Sequence, residues 1–137
     1  MTLMCLNVIV RIAKPTPMRK DGSCDTRILE SAIRDVDLAV SPDNHRPIIV
    51  IKSTVPPGTT ARLDKITSYC DVCFSPEFLT EANSFEDFKN QSRIIIGGPR
   101  PATGKVKQMF RKAFPTIPIV KTGSKTVNSK EVVFVAP

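Results

Sequence analysis

The chain is poor in aromatic residues, histidine and glycine. Its 137 residues include no tryptophan, one tyrosine, one histidine and six glycines. With so few rings, the sequence offers little for stacking nucleic-acid bases, and the lone His45 supplies one metal ligand at most. No apolar run approaches the length needed to cross a membrane. These shortages argue against a membrane protein, a zinc protein and a base-stacking nucleic-acid-binding protein.

The cysteines are few and do not form a convincing metal or redox motif. Cys5 and Cys24 are isolated, whereas Cys70 and Cys73 form a Cys-Asp-Val-Cys sequence that enters an apolar strand. Residues three apart in a strand point to opposite faces, so we interpret this pair as buried, inert thiols and predict no metal site. The first ten residues lack the basic start of a signal peptide, and we expect a cytoplasmic protein with a single core.

Acidic residues are outnumbered by basic ones, which gives the chain a net charge of +7. The basic residues are scattered, apart from a mild cluster on a predicted amphipathic helix at Lys105, Lys107, Arg111 and Lys112. We interpret that cluster as a solvated outer face. Nucleic-acid binding is therefore only a weak alternative, while a basic surface could also serve an anionic small substrate. We predict neither nucleic acid nor a membrane as a partner.

Apolar segments with strand character alternate with segments of helical periodicity. The strands are predicted at 6–13, 48–52, 71–74, 93–96 and 117–121. The helices are predicted from Asp25 to about Val36, from Thr59 onward, over 78–88, and from Thr103 to about Phe114, with Asp25, Thr59 and Thr103 as N-caps. This alternation indicates βαβ units. We therefore predict an α/β fold with a doubly wound, mainly parallel sheet.

Polar residues follow three of the predicted strands at their carboxyl ends. They are Lys14-Pro-Thr-Pro17, Lys52-Ser-Thr-Val55 and Ser75-Pro-Glu77. In open α/β sheets, ligands bind at that edge, so we expect one crevice there. Glu77 and Glu81 are one helical turn apart and can face the same side. A carboxylate at a strand end, partly desolvated by Phe74 and Phe78, suits proton transfer.

Three blocks of residues resemble the UDP-glucose/GDP-mannose dehydrogenase family, most closely the N-terminal NAD-binding domain of its UDP-glucose 6-dehydrogenases. The blocks are Lys14-Pro-Thr-Pro-Met18 with Asp21-Gly-Ser-Cys-Asp25, Lys52-Ser-Thr-Val-Pro-Pro-Gly-Thr-Thr60, and Ser75-Pro-Glu-Phe-Leu-Thr-Glu-Ala82 through Arg93-Ile-Ile-Ile-Gly-Gly98. The resemblance implies a partial, Rossmann-like NAD-binding domain over 1–125 and a divergent tail over 126–137. It also implies an NAD-dependent, two-step oxidation of UDP-glucose to UDP-glucuronate.

The resemblance implies roles for individual residues. Glu77 matches the acid/base glutamate of the family, and Thr54 matches a threonine that helps to place a catalytic water. Cofactor contacts are implied for Lys14, Pro15, Thr16, Pro17, Ser53, Thr54, Val55 and Glu81. Contacts with a nucleotide sugar such as UDP-glucose are implied for Glu77, Phe78, Leu79, Thr80 and Glu81. Lys14 departs from the valine or asparagine that is usual at its position.

Two parts of that family's chemistry are missing from the sequence. The chain has no Gly-x-Gly-x-x-Gly turn to hold a pyrophosphate, and no cysteine stands in the context of the family's nucleophile. We therefore expect a fragment with weak or absent NAD binding and no activity by itself. Its first strand, 6–13, should be an apolar edge that pairs with a second copy or a missing partner chain. The alternative is a non-catalytic nucleotide-sugar-binding or assembly module.

Overall fold

The computed structural model describes residues 8–40, 46–77 and 82–123. Strands and helices alternate along these residues. They are β1 Ile9–Ile12, α1 Arg27–Ala39, β2 Ile48–Ile51, α2 Thr59–Ile66, β3 Asp71–Phe74, α3 Ser84–Lys89, β4 Ile94–Gly97, α4 Ala102–Ala113 and β5 Ile119–Thr122. The predicted α/β fold is confirmed. The start of the first predicted strand, the first part of the predicted 78–88 helix and the divergent tail lie outside the described residues.

The strands form one sheet in the order β1-β2-β3-β4-β5. Parallel pairing joins β1 to β2, β2 to β3, and β4 to β5, while β3 meets β4 in antiparallel fashion at Phe74 and Gly97. The sheet is therefore mainly parallel, as predicted. Since β1, β2 and β3 are adjacent and run in the same direction, their carboxyl ends lie side by side. This confirms that the three polar segments predicted to form one crevice start from the same edge.

Strand β2 is buried on both faces of the sheet. Ile49 and Ile51 belong to a core formed with α1 and α2, whereas Ile48 and Val50 belong to a second core formed with α4. The amphipathic helices supply the matching apolar side chains, which include Leu29, Ile33 and Leu63 on the first side and Val106 and Phe110 on the second. Helices thus cover both faces, which is the doubly wound arrangement.

The predicted N-caps Asp25, Thr59 and Thr103 are wrong. The capping positions are Thr26, Gly58 and Pro101, and none of these three makes a side-chain capping hydrogen bond. Gly58 has a φ of 86°, a left-handed conformation that glycine adopts without strain, so the corner ends there and Thr59 is already helical. Asp25 lies one residue before the cap, where its carboxylate accepts a hydrogen bond from the Arg27 backbone N–H at 3.1 Å.

The Cys-Asp-Val-Cys sequence behaves as the strand geometry predicts. Cys70 and Cys73 are both fully buried, and they lie in the two different cores on opposite faces of the sheet. Burial raises the pKa of Cys70 to about 11 and that of Cys73 to about 12. Among the described residues, no group of three or more acidic, histidine or cysteine side chains could hold a metal ion. None of their helices is long and apolar enough to span a membrane.

A buried carboxylate on α1 fixes the segment that enters β3. Asp37 accepts hydrogen bonds from the backbone N–H groups of Ser68 at 2.8 Å, Tyr69 at 2.8 Å and Cys70 at 3.0 Å. Burial by itself would raise the pKa of Asp37, but these donors outweigh it and hold the pKa below its ordinary value. Asp37 therefore sets where β3 begins and so where its carboxyl end lies.

We predict that Asp37→Asn lowers the free energy of unfolding by roughly 1–3 kcal/mol, because an amide cannot replace a charged acceptor of three N–H groups. The pKa of Asp37 is lower in the folded state than its unfolded value of 3.8. The carboxylate therefore adds to the free energy of unfolding above the unfolded pKa, and this stabilisation is lost as pH falls through the folded pKa. Urea denaturation should therefore show a difference between wild type and variant that shrinks on acidification. Asp35→Asn, an exposed carboxylate on the same helix, is the control. A difference that does not vary with pH would contradict this role.

We also predict opposite effects for two glycine substitutions. Gly98 follows β4 with a φ of 150°, and a Cβ there would lie 2.8 Å from Cys73 Sγ and 3.0 Å from Cys73 Cα. Gly98→Ala should therefore destabilise the fold by roughly 1–3 kcal/mol. Gly104, in α4, has nothing within 4 Å of its Cβ position, so Gly104→Ala should stabilise the fold by up to about 1 kcal/mol. Thermal unfolding that moves both variants in the same direction would contradict this packing.

Candidate functional site

The loops that leave β1 and β2 are joined by hydrogen bonds. The Ser53 hydroxyl donates to the Lys14 carbonyl and accepts from the Lys14 backbone N–H, both at 2.7 Å. Thr16 Oγ1 donates to the Thr54 carbonyl at 2.7 Å. We call Lys14, Thr16, Ser53 and Thr54 the loop seam. It brings together two segments that lie almost forty positions apart in the sequence and that were both predicted to contact a cofactor.

The members of these two loops differ in what they can offer a ligand. Ser53 is buried, and its hydroxyl is already engaged with the Lys14 backbone. Val55 is also buried, within the core on the α1–α2 side, so its side chain is turned away from any ligand. Thr54, Pro15 and Pro17 are exposed. The Thr54 hydroxyl has no hydrogen-bond partner among the described residues, which leaves it available to a ligand or a water.

Strand alternation places a lysine at the end of β2 on the α4 side of the sheet. Ile48 and Val50 face α4, and Lys52 continues that face one step beyond the strand. Ser75 holds the corresponding position after β3, because the last registered pair is Ile51 with Phe74. The Lys52 ammonium lies 3.5 Å from the Ser75 hydroxyl and 3.2 Å from Glu77 Oε1. It also lies 5.4 Å from the centroid of the Phe110 ring on α4.

We call Lys52, Ser75, Glu77 and Phe110 the Lys52 cluster. Its two charged members differ in burial, since the Lys52 side chain is 7% exposed and the Glu77 side chain is 31% exposed. Burial lowers the pKa of Lys52, while the Glu77 carboxylate opposes that shift and the positive charge of Arg11 on β1 adds to it. The cluster therefore consists of a buried ammonium and a carboxylate that still reaches solvent at the sheet edge.

The structure tests only part of the predicted substrate segment. Glu77 is described, but Phe78, Leu79, Thr80 and Glu81 lie outside the described residues, so the pairing of Glu77 with Glu81 on one helical face stays a prediction. Phe74, expected to desolvate Glu77, is buried in the core on the α1–α2 side. The close partner of Glu77 is Lys52 instead.

Sequence reasoning gave no role to Lys52, Ser75 or Phe110. A signal for Lys52 was present, because it is the first residue after a strand with four apolar side chains. Continuing the alternation across the predicted parallel neighbour would have paired Lys52 with Ser75. Phe110 carries no such signal, since it comes from a helix that follows fifty-odd residues later and reaches the site only through tertiary packing.

The sheet edge offers a carboxylate for acid/base chemistry, a free hydroxyl and two backbone loops. These groups fit the nicotinamide end of NAD, which needs polar groups beside its reacting carbon. The pyrophosphate of NAD needs a glycine-rich turn at a helix N-terminus, and the sequence has no Gly-x-Gly-x-x-Gly. The thiols of Cys70 and Cys73 are buried with raised pKa values, so neither is suited to act as a nucleophile.

The sequence of this chain is similar to that of known proteins. The model of the UDP-glucose/GDP-mannose dehydrogenase family, NAD binding domain, matches residues 6–115. The UDP-glucose 6-dehydrogenase TuaD of Bacillus subtilis is 31% identical over 121 residues, which cover 83% of this chain and 25% of that protein.

Solved structures show the same similarity. A UDP-glucose dehydrogenase from the archaeon Pyrobaculum islandicum is 32% identical, with a TM-score of 0.77 over 93% of this chain and 32% of that chain. A GDP-mannose dehydrogenase from Pseudomonas aeruginosa shares the fold, with a TM-score of 0.76 over 94% of this chain and 32% of that chain at 22% identity. This chain thus spans about a quarter to a third of the length of these proteins.

The unequal burial of the Lys52–Glu77 pair predicts unequal effects of removing its members. Glu77→Gln leaves a buried ammonium without its counter-charge, so we expect a loss of roughly 1–3 kcal/mol in the free energy of unfolding at neutral pH. Lys52→Met leaves a carboxylate that water can reach and fills the buried space with apolar atoms, so we expect little change or a small gain. Urea denaturation of both variants checks this, with the exposed Lys65→Met as the control. The reverse order of stabilities would contradict the burial of Lys52.

Proposed function

Since this chain belongs to the UDP-glucose/GDP-mannose dehydrogenase family, we propose that it supplies the nicotinamide side of an NAD site and the acid/base carboxylate of a nucleotide-sugar 6-dehydrogenase. The reaction would be the two-step oxidation of UDP-glucose to UDP-glucuronate. The observation that carries this proposal is the position of Glu77 and the loop seam at the carboxyl ends of three adjacent parallel strands. That edge is where open α/β sheets bind their ligands.

The chemistry assigns a task to each group at the edge. Oxidation of a primary alcohol moves a hydride from carbon to an acceptor and a proton from the hydroxyl to a base. NAD, when bound, supplies the hydride acceptor. Glu77 keeps enough exposure to receive the proton, and the exposed Thr54 hydroxyl is available to hold a water between substrate and base. In this proposal the nicotinamide lies against the two loops at Lys14 to Pro17 and Ser53 to Val55.

The second oxidation step requires a nucleophile, and the described cysteines do not provide a good one. Cys70 and Cys73 are buried, and Cys24 is partly buried with its thiol 3.7 Å from the Thr16 carbonyl. We therefore propose that the thiol and the pyrophosphate cradle come from polypeptide other than these 137 residues. The segment 77–81 would lie along the nucleotide sugar, with UDP-glucose as the preferred substrate.

A chimera tests this function. We predict that residues 6–115, placed in TuaD instead of the matching segment, support NAD-dependent oxidation of UDP-glucose. In that chimera Glu77→Gln should lower kcat by roughly 10²–10⁴-fold, the contribution typical of a general acid/base. Glu86→Gln, an exposed carboxylate on α3, should leave kcat within about twofold of the parent. A folded chimera without activity would favour the alternative, a non-catalytic nucleotide-sugar-binding or assembly module.

The 137-residue chain alone serves as the comparison. It should produce no measurable NADH and bind NAD weakly or not at all, because it lacks the cradle for the pyrophosphate. Steady NADH production that Glu77→Gln abolishes would overturn the expected inactivity. Micromolar affinity in calorimetry would mean that the pyrophosphate site is built in another way.

We further propose that β1 pairs with a strand of another chain or of another segment of the protein. Within the described residues β1 is an edge strand of the sheet, so one side of its backbone has no strand partner there. Val8 is 51% exposed, while Ile9 and Val10 are only partly buried. An apolar edge of this kind is a template for strand pairing.

We predict that the chain forms a dimer or a larger species that is insensitive to salt, because its driving force is apolar. Light scattering of the purified chain at low and high salt measures this. Val8→Lys, which places a charge at the edge, should shift the population toward monomer. Leu38→Lys, at an 80% exposed position on α1, should not. A monomer at high protein concentration would contradict the proposed pairing.

A further inference from the structure

We propose that Lys52 is a positioning residue that holds the Glu77 carboxylate at the ligand-binding edge of the sheet. The proposal deepens the proposed function and rests on it, since it assigns the group that prepares Glu77 for proton transfer. Lys52 opens one of the three blocks that resemble the family, but the resemblance implied roles only for the residues after it. The burial and the contacts of its ammonium carry the proposal.

The burial of Lys52 is unusual for a lysine beyond the end of a strand. Such a side chain can normally extend into water, yet this one is 7% exposed and lies beside the Phe110 ring. An apolar residue there would pack against Phe110, which belongs to the core on the α4 side. A buried ammonium needs a counter-charge to be tolerated, and the ion pair with Glu77 supplies it.

Lys52 is held more firmly than Glu77, because its backbone is hydrogen-bonded at the sheet edge and its side chain is more deeply buried. The Lys52 backbone N–H donates to the Ile12 carbonyl at 2.9 Å, and the Ser75 N–H donates to the Ile51 carbonyl at 3.0 Å. Both residues are therefore anchored to neighbouring strands at the sheet edge. Glu77 lies two residues beyond Ser75, past the end of β3, where its side chain has more rotamers available. The ion pair at 3.2 Å selects among those rotamers.

Among the described residues, the groups around the Lys52 ammonium leave Glu77 as its counter-charge. Lys52 faces Glu77 from β2, and Arg11 on β1 adds a second positive charge close enough to affect Lys52. Helix α4 contributes the Phe110 ring at this point and has no acidic residue anywhere in its sequence. Glu77 is the acidic group that stabilises the ammonium. Lys52 therefore holds the Glu77 carboxylate through an ion pair at 3.2 Å.

The first test uses the full 137-residue chain and does not depend on its activity. Nitrogen-15 spectra of lysine side chains should show a Lys52 ammonium protected from solvent exchange, and Glu77→Gln should remove that protection. Three-bond couplings of the Glu77 side chain should report one dominant rotamer in wild type and averaging in Lys52→Met. Lys65→Met should change neither signal. An ammonium that exchanges as fast as an exposed lysine, or Glu77 couplings unchanged by Lys52→Met, would overturn the proposal.

The second test uses the TuaD chimera and separates positioning from structure. Lys52→Met should lower kcat by about 10- to 100-fold, with KM for UDP-glucose and NAD within about threefold. Adding Lys52→Met to Glu77→Gln should cause no further loss, because the lysine acts through the carboxylate. Full kcat in Lys52→Met beside a large loss in Glu77→Gln would refute positioning and leave the proposed function intact. If Glu77→Gln itself has no effect, the proposed function fails instead.

Discussion

Everything at the candidate site depends on β2, a strand whose side chains are buried on both faces of the sheet. All four of its side chains are apolar, so the first polar side chains come after the strand, at the carboxyl edge of the sheet. The first two side chains beyond it, Lys52 and Ser53, are both polar and both largely buried, so each needs a partner there. Lys52 forms an ion pair with Glu77, which follows β3. Ser53 forms hydrogen bonds with the backbone of Lys14, which follows β1. Because the side chains that follow β2 are buried, they bind to the segments after β1 and β3, and these contacts connect the ends of the three strands.

Two carboxylates of the described residues differ in how far their surroundings engage them. Asp37 is almost fully buried, accepts three backbone N–H groups and lies near the start of β3. Its burial keeps it away from ligands. Glu77, past the end of the same strand, shares one ion pair and keeps about a third of its side-chain exposure. The first arrangement fixes the strand, while the second leaves a carboxylate that a substrate can reach.

Much of the fold was predictable because its signals are local. The segment at 71–74, with three apolar residues after Asp71, forms β3 at the predicted bounds. The three-residue spacing of Cys70 and Cys73 correctly predicted opposite faces. The predicted N-cap at Thr59 was wrong because Gly58 ends its corner through a left-handed backbone and not through a side-chain cap. The role of Lys52 was missed for another reason. It depends on Phe110, which only the packing of α4 brings to the end of β2.

We propose that the carboxyl edge of β1, β2 and β3 receives the nicotinamide end of NAD next to Glu77. A decisive measurement is a titration of the isotope-labelled 137-residue chain with nicotinamide mononucleotide, at concentrations high enough to reveal the weak binding expected of the isolated chain. Binding is followed by backbone amide chemical shifts. This probe lacks the adenylate half of NAD, so it does not depend on a full dinucleotide site. The account predicts shift changes that cluster at 14–17, 53–55 and Glu77. Changes centred instead on the basic face of α4, at Lys105 to Lys112, would contradict it.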